Sequence, residues 1–437
     1  MGKAKNNNLI VNSMLENIKR NLIFVSPDPT NVFCYSPSIH KTATSRLITT
    51  FDLGGPGVEK LDGVKGSRDK GTKFGQGKIY ISDDDGRAWT FVDNFPFWHA
   101  RIIEIKNVLY IMGHSGDLMV IKSVDNGNTW SKPVKLTTGR KFHCAPCNYL
   151  IYKKFLYFSI EERIDLSIKG WNTAGLVPLL IKININKDLL DFNNYEISND
   201  MTKTFNKCVL LDNTNYFGFP FYDEKSREPI KITDNIQFSP SGWLEGNVVK
   251  IFDKNHIWFD RNHNIIYNIM RASIGLTNYA CLVKFIIEKN KIYTEIEKTY
   301  ANTDFVFINI PGGHLKFHIL HDKKSKLYWM VSSQSTDSMI KPEVLENMTE
   351  NKKRYNLPDN QRNRLQLSFS KNLKDWCPAG IIYKSNNEKY SRNYPAFIID
   401  NNDIYVAAKG GDKDSLNSQY GNLIEMFKIT NFRKLVY

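Results

Sequence analysis

The chain has 437 residues, of which 41% are hydrophobic, 24% charged and 13% aromatic, and it carries a formal net charge of +14. This balance belongs to a globular protein with enough apolar content to build its own core, and it excludes disordered and collagen-like chains. No apolar run is long enough to span a bilayer, and the cysteines at 34, 144, 147, 208, 281 and 377 lack the tight spacing of a disulfide-dense scaffold.

The amino terminus, Met-Gly-Lys-Ala-Lys-Asn, has no apolar core and no small-residue cleavage site. The chain as given therefore reads as cytoplasmic, or as secreted if a leader was removed. Residues 1–20 are expected to be an extension and 21–437 a single domain. The positive charge raises the question of anionic partners, but Lys and Asn are spread evenly and no basic run stands out. A nucleic-acid partner is therefore not favoured.

From about residue 20 onward, short β-type runs alternate with Asn, Asp, Gly and Lys turns. Many short strands of this kind mean a sandwich, a barrel or a propeller. The runs group into six sets, roughly 33–93, 95–137, 142–200, 241–305, 314–384 and 391–437, with five sets as the alternative. The last set holds three clear strands, Tyr394–Ile399, Ile404–Lys409 and Leu423–Ile429. The run Leu22–Val25 supplies its fourth and would close a ring, leaving no open sheet edge. The region 200–240 is expected to be loop. The weakly helical, Lys-rich stretch near 338–362 is expected to be an exposed insertion.

Two segments choose among the all-β folds: Ser82-Asp-Asp84-Asp-Gly86-Arg-Ala-Trp89 and Ser123-Val-Asp125-Asn-Gly127-Asn-Thr-Trp130. Both fit S-x-D-x-G-x-x-W, a hairpin tip in which Ser and Asp oxygens bond turn amides and Gly takes a positive φ. A shorter relative is Ser370-Lys-Asn372-Leu-Lys-Asp-Trp376. These repeats resemble the Asp boxes of the sialidase superfamily. Ser36-Pro-Ser38, Phe51-Asp52-Leu-Gly-Gly-Pro56, Gly242-Trp-Leu-Glu-Gly-Asn247 and Pro311-Gly-Gly-His-Leu-Lys-Phe317 extend that resemblance, to bacterial sialidase-like proteins, over nearly the whole chain. It implies an all-β, six-bladed propeller of four-stranded antiparallel blades, with the boxes on the rim away from the axial mouth.

In such a fold, inner strands start at the mouth and second strands end there. Inner-strand starts then carry Ser36, Ser38, His99, Arg101, His143, Trp243, Glu245, Asn247, His314, Lys316, Arg392 and Tyr394. Second-strand ends carry Asp52, His114, Glu161, Glu162, Arg163, Arg271, Ser332 to Gln334 and Lys409. The resemblance implies Asp52 as acid/base, Tyr394 as nucleophile, Glu245 as the residue that polarises it, and Arg271 as part of a carboxylate clamp. Ser36 and Ser38 stand where another clamp arginine is expected, and Lys316 stands in blade five. Arg101 and Arg392 are nearby cations.

A second reading pairs Glu245 with Asp52, Glu161 or Glu162 as an ordinary glycosidase acid and base. Trp243 is either a stacking platform for sugar or a wedge between blades. Cys144-Ala-Pro-Cys147 has no second ligand pair, and His314, His318 and His321 do not share one strand face. No metal and no cofactor is expected. The sequence thus points to an exo-acting glycosidase, monomeric or weakly self-associating, with a glycan substrate of anionic character. A non-catalytic glycan-binding propeller and an interaction scaffold are the alternatives.

Overall fold

The computed structural model describes residues 14–16, 18–68, 73–143, 147–198, 200–208, 227–231, 233–234, 237–275, 277–289, 291–336, 344 and 360–437. Six antiparallel sheets form the six blades of a β-propeller. Blade one contains Phe33–Lys41, Leu47–Gly54, Lys73–Ser82 and Thr90–Phe95. Blade two contains Trp98–Ile105, Val108–Ser115, Asp117–Ser123 and Val134–Lys135. In blade three, Phe142–His143 and Leu150–Tyr152 form a split inner edge beside Phe155–Arg163, Leu176–Asn184 and Tyr195–Ile197.

Blade four contains Gly242–Val249, Ile265–Ser273, Tyr279–Glu288 and Lys291–Glu295. Blade five contains His318–Asp322, Leu327–Ser333, Arg364–Ser370 and Cys377–Lys384. Blade six takes Arg392–Asp400, Asp403–Gly410 and Leu423–Ile429 from the carboxyl end and Lys19–Val25 from the amino end. The ring closes on that last pairing, which hides the edge of Leu423–Ile429. The closing strand starts two residues before the expected boundary. Leu15 N–H also donates to the Ile381 carbonyl of blade five, so the propeller begins inside the supposed extension.

Burial follows from stacking blades face to face. Second strands are covered on both sides, so Ile265–Ser273 is buried along almost its whole length and reads as a near-continuous run. The outer strand Lys291–Glu295 alternates exposed and buried residues, as a half-covered strand should. Apolar side chains fill each gap between neighbours. Examples are Ile48 with Ile111 between blades one and two, and Phe158 with Met112 between two and three. Phe317 with Ile269 fills the gap between four and five, and Phe51 with Ile424 closes the ring between one and six.

Trp243 belongs to this packing. Fully buried between blades three and four, it meets Phe205 edge-on at 5.5 Å, and its Nε1–H donates to the Leu176 carbonyl at 2.9 Å. It is the wedge, not the sugar platform. Trp243→Ala is expected to cost about 3–5 kcal/mol of stability, read by denaturant titration.

The S-x-D-x-G-x-x-W turns join third and fourth strands on the face away from the mouth. Ser123 Oγ accepts the Gly127 N–H at 2.9 Å, Asp125 Oδ1 accepts the Thr129 N–H at 3.0 Å, and Trp130 Nε1–H donates to the Gly127 carbonyl at 3.2 Å. The turn at 82–89 repeats these bonds. Gly127 sits at φ +84° with Ile48 against it, so a side chain there would meet both strain and a neighbouring blade. In the third copy Leu373 takes the same place at φ +61°.

Most of the expected insertion near 338–362 lies outside the described residues, but its end does not fit the expectation. Gln361 and Arg362 are buried, Gln361 bonded to Thr336 and the Arg362 carbonyl accepting the Arg392 N–H.

Candidate functional site

Four inner strands break their ladders at equivalent points near the mouth. The register slips between Tyr35 and Ser38, Trp98 and Arg101, Leu244 and Gly246, and Asn393 and Ala396. At each slip one residue adopts a left-handed backbone: Ser36 (φ +34°), His99 (+54°), Glu245 (+60°) and Tyr394 (+53°). Such conformations cost about 1 kcal/mol or more for residues other than glycine and gather at functional sites, while bulges re-aim side chains. The residue that follows each is Pro37, Ala100, Gly246 or Pro395. A small or imino neighbour after a polar residue is the signal that sequence reasoning passed over.

The side chain at a second-strand end reaches across to the next blade's inner strand. Asp52 Oδ1 accepts the His99 N–H at 3.0 Å. Glu161 Oε1 accepts the Gly246 N–H at 3.2 Å. Arg271 Nε–H donates to the His314 carbonyl at 2.8 Å. The first two bonds hold the bulges of blades two and four, and the third ties blade four to the segment that leads into blade five.

Blades four and six meet at Arg271. Its Nη1 donates to Glu245 Oε2 at 3.2 Å and to Tyr394 Oη at 3.0 Å, with all three side chains buried or half-buried. Glu245 is thus ion-paired with Arg271, and the arginine stands between it and the phenol. Burial alone would depress the guanidinium, but Tyr394 and Glu245 hold its charged form more strongly than usual.

Three cations surround the Tyr394 ring: Arg271 at 5.9 Å, Arg362 at 5.2 Å and Lys409 at 4.5 Å from its centroid. Arg362, missed by sequence reasoning, is fixed by Asn393 and Asn360. Lys409 donates to the Gln419 carbonyl at 2.8 Å; burial, with Arg362 next, pushes its ammonium well below the usual lysine range. Trp171 lies over the Arg271 guanidinium at 4.8 Å and covers that side of the site.

The opposite side of the mouth is imidazole-rich. His99 Nδ1 and His114 Nε2 share a hydrogen bond of 3.0 Å, and His143, facing His99 at 6.4 Å, contacts Arg163 Nη2 at 3.1 Å.

Glu161 lies fully buried beneath Glu245. Burial, then the charge of Glu245, pushes its carboxyl up to about 8, although the Gly246 and Glu245 amides and Lys316 oppose the shift. Its second oxygen, Oε2, has no hydrogen-bond partner among the described residues. The adjacent Glu162 points the other way and pairs with Arg140. Burial also lowers His314 to about 3, with Arg271 and Arg362 adding to it.

Four further residues stand elsewhere than expected. Arg392 is spent inside blade six, on Glu425 and on the Ser391 and Gly411 carbonyls. Asn247 ties blade four to blade five, accepting the Ile319 N–H at 2.9 Å and donating to the Phe317 carbonyl. Arg101 donates to the Pro37 carbonyl and lines an axial cavity of ≈ 340 Å³ below the mouth, beside His318 and Tyr149. Lys316 is completely buried near Glu161 and His318, beneath rather than within the clamp. Long polar side chains at inner-strand starts can turn down the axis or into the blade, and sequence alternation does not separate those fates from the mouth.

Among the described residues no group of three or more His, Cys, Asp and Glu gathers as a metal set. His318 Nδ1 accepts the Phe397 N–H at 2.8 Å and His321 packs on Phe252. Cys144 lies outside the described residues.

No protein-family model matches the sequence, and no curated protein matches it. Solved structures do. The α-L-arabinanase of Penicillium chrysogenum complexed with arabinobiose superposes with a TM-score of 0.50 at 11% identity, over 96% of this chain and 99% of that one. Trypanosoma rangeli sialidase gives 0.52 at 10% identity, over 97% of this chain but 61% of the sialidase. A Dyadobacter fermentans protein of unknown function gives 0.50 at 10%, over 95% and 100%. This chain has the six-bladed propeller fold of these proteins. At such identities the likeness carries the fold alone, and the chemistry rests on the mouth's own residues.

Proposed function

We propose that the chain is a glycoside hydrolase that takes an anionic sugar into its mouth, with Glu161 as the acid and Glu245 as the second carboxylate. One observation carries this reading: two neighbouring carboxyl groups stand in opposite environments. Glu161 is desolvated and held protonated near neutral pH, while Glu245 is ion-paired with Arg271. Pairs of carboxyls set apart in this way divide the roles of acid and base. Glu161 gives its proton to the glycosidic oxygen as the bond from that oxygen to the anomeric carbon breaks. Glu245 either attacks the anomeric carbon or deprotonates the water that does. Arg362, with the guanidinium of Arg271 beside it, supplies the charge for a carboxylate-bearing sugar, and Lys409 adds a hydrogen-bond donor.

The fold supports the reading by analogy. The arabinanase was solved with arabinobiose and a Trypanosoma rangeli sialidase with sialic acid, and both are glycan-directed propellers.

A tyrosine-based, sialidase-like site is the second reading, favoured by the half-buried Tyr394 inside its ring of cations. There Tyr394 would attack the anomeric carbon and Asp52 would supply the proton. Comparing Tyr394→Phe with Glu161→Gln separates the two. On the two-carboxylate reading, Tyr394→Phe loses one hydrogen bond to Arg271 and turnover falls about tenfold. A loss approaching that of the carboxylate variants transfers the nucleophile's role to Tyr394. Arg362→Ala is expected to raise KM for an anionic substrate about tenfold with kcat nearly unchanged, because it removes a binding charge and no reacting group.

A further inference from the structure

On the face opposite the mouth, the connection between the first two strands of blade four and the hairpin around residues 297–305 enclose a groove of ≈ 670 Å³. Ile257 and Tyr300 stand almost free of the protein, at 79% and 110% exposure. Trp258 forms the groove's base and is held from several sides. Its ring lies 5.4 Å from Tyr267, 6.0 Å from Phe305 and 5.4 Å from His256. The Trp258 backbone N–H donates to His256 Nδ1 at 2.9 Å, and His256 Nε2 meets the Asn372 carbonyl of blade five at 2.8 Å. The aromatic surface is therefore fixed before anything binds, which lowers the ordering cost of association.

The charges around it are uneven. Asp260 is turned inward onto the Asn262 and Ile265 amides, and Glu297 is held by Tyr267 and Lys284. Arg261 and Lys374, both exposed on the groove, pair with no carboxylate among the described residues. Fixed aromatic faces beside these two cations and Asn262 suit one ligand chemistry, a pyranose chain bearing carboxylates: the apolar sugar faces stack on the rings and the anionic groups meet the cations. We infer that this groove is a second binding site for an acidic polysaccharide, holding the polymer away from the mouth. The inference rests on the reading of the mouth as a site for anionic sugars, but its test does not.

The test is affinity electrophoresis of the full chain through gels cast with polygalacturonate, hyaluronate or polysialate, with polyphosphate as a charge-only control. Variants are Tyr300→Ala and Arg261→Gln, both at exposed positions that leave the fold intact, Trp258→Ala, and the mouth variant Glu245→Gln. Retardation on at least one polysaccharide is expected, weakened about tenfold in the Tyr300→Ala, Trp258→Ala double variant and unchanged in Glu245→Gln. A chain that hydrolyses nothing but is retarded in this pattern keeps the groove and loses the proposed reaction. No retardation on any of the three polysaccharides overturns the groove. So does retardation that the groove variants leave intact, or retardation equal on polyphosphate and insensitive to Tyr300→Ala.

Discussion

Glu245→Gln is expected to lower kcat by about three orders of magnitude while leaving glycan binding within a few-fold of the native chain. The magnitude is what a single acid, base or nucleophile contributes when it acts on the reacting bond. Glutamine keeps the shape and one acceptor for Arg271 Nη1, so the contact between blades four and six is retained. What is lost is the charge that attacks or activates. Isothermal titration with an unhydrolysed oligosaccharide, beside initial rates, separates the two effects. A parallel fall in binding and rate would make Glu245 a structural carboxylate of the bulge.

Glu161→Gln carries the second large effect, and pH is its signature. The native carboxyl is pushed up to about 8 from an ordinary 4.5, chiefly by burial and then by Glu245. As an acid it works protonated, so kcat/KM of the native chain should fall as pH rises through about 8. Glu161→Gln should lose about 10²–10⁴ in rate together with that alkaline limb.

Stability also falls with rising pH, but over a lower window. With the folded value above the unfolded one, the folded state binds more protons between the two. The native chain therefore loses stability as pH rises from 4.5 toward 8. The Gln variant keeps the acceptor for the Gly246 N–H without the buried charge. Its advantage should grow over that window to on the order of 5 kcal/mol, visible as a melting temperature that diverges from the native one as pH rises from 4.5 and stops diverging above about 8. A constant offset across the window would mean that Glu161 ionises normally.

The ring was legible because its signals are local. In Ser123-Val-Asp125-Asn-Gly127, each residue has a task within four positions of itself, and the turn forms as its hydrogen bonds require. The closing strand was legible because the last blade lacked a fourth strand and an apolar run stood waiting at the other end. Asp52, Glu245, Arg271 and Tyr394 followed once blade register was known, since strand ends fix position around the mouth.

Depth was not legible. Glu161 and Glu162 alternate to opposite faces, but only the structure shows one buried beneath Glu245 and the other paired with Arg140. Arg392 read as a cation near the clamp because its partner, Glu425, lies a strand pair away. Arg362 was hidden in a polar stretch without periodicity. Blade six contributes to its burial through Asn393 and Tyr394. Trp243 could not be divided between platform and wedge until Phe205 and Leu176 were seen around it.

The most direct measurement is release of free sugar from a panel of aryl glycosides and oligosaccharides, with uronides, sialosides and arabinosides included. Native chain, Glu161→Gln and Glu245→Gln would be compared across pH 5 to 9. The two-carboxylate account predicts that the native chain cleaves an acidic member of the panel, that both variants lose the activity, and that the native rate declines above pH 8. Absence of turnover on every member, or turnover that survives in Glu245→Gln, would contradict it.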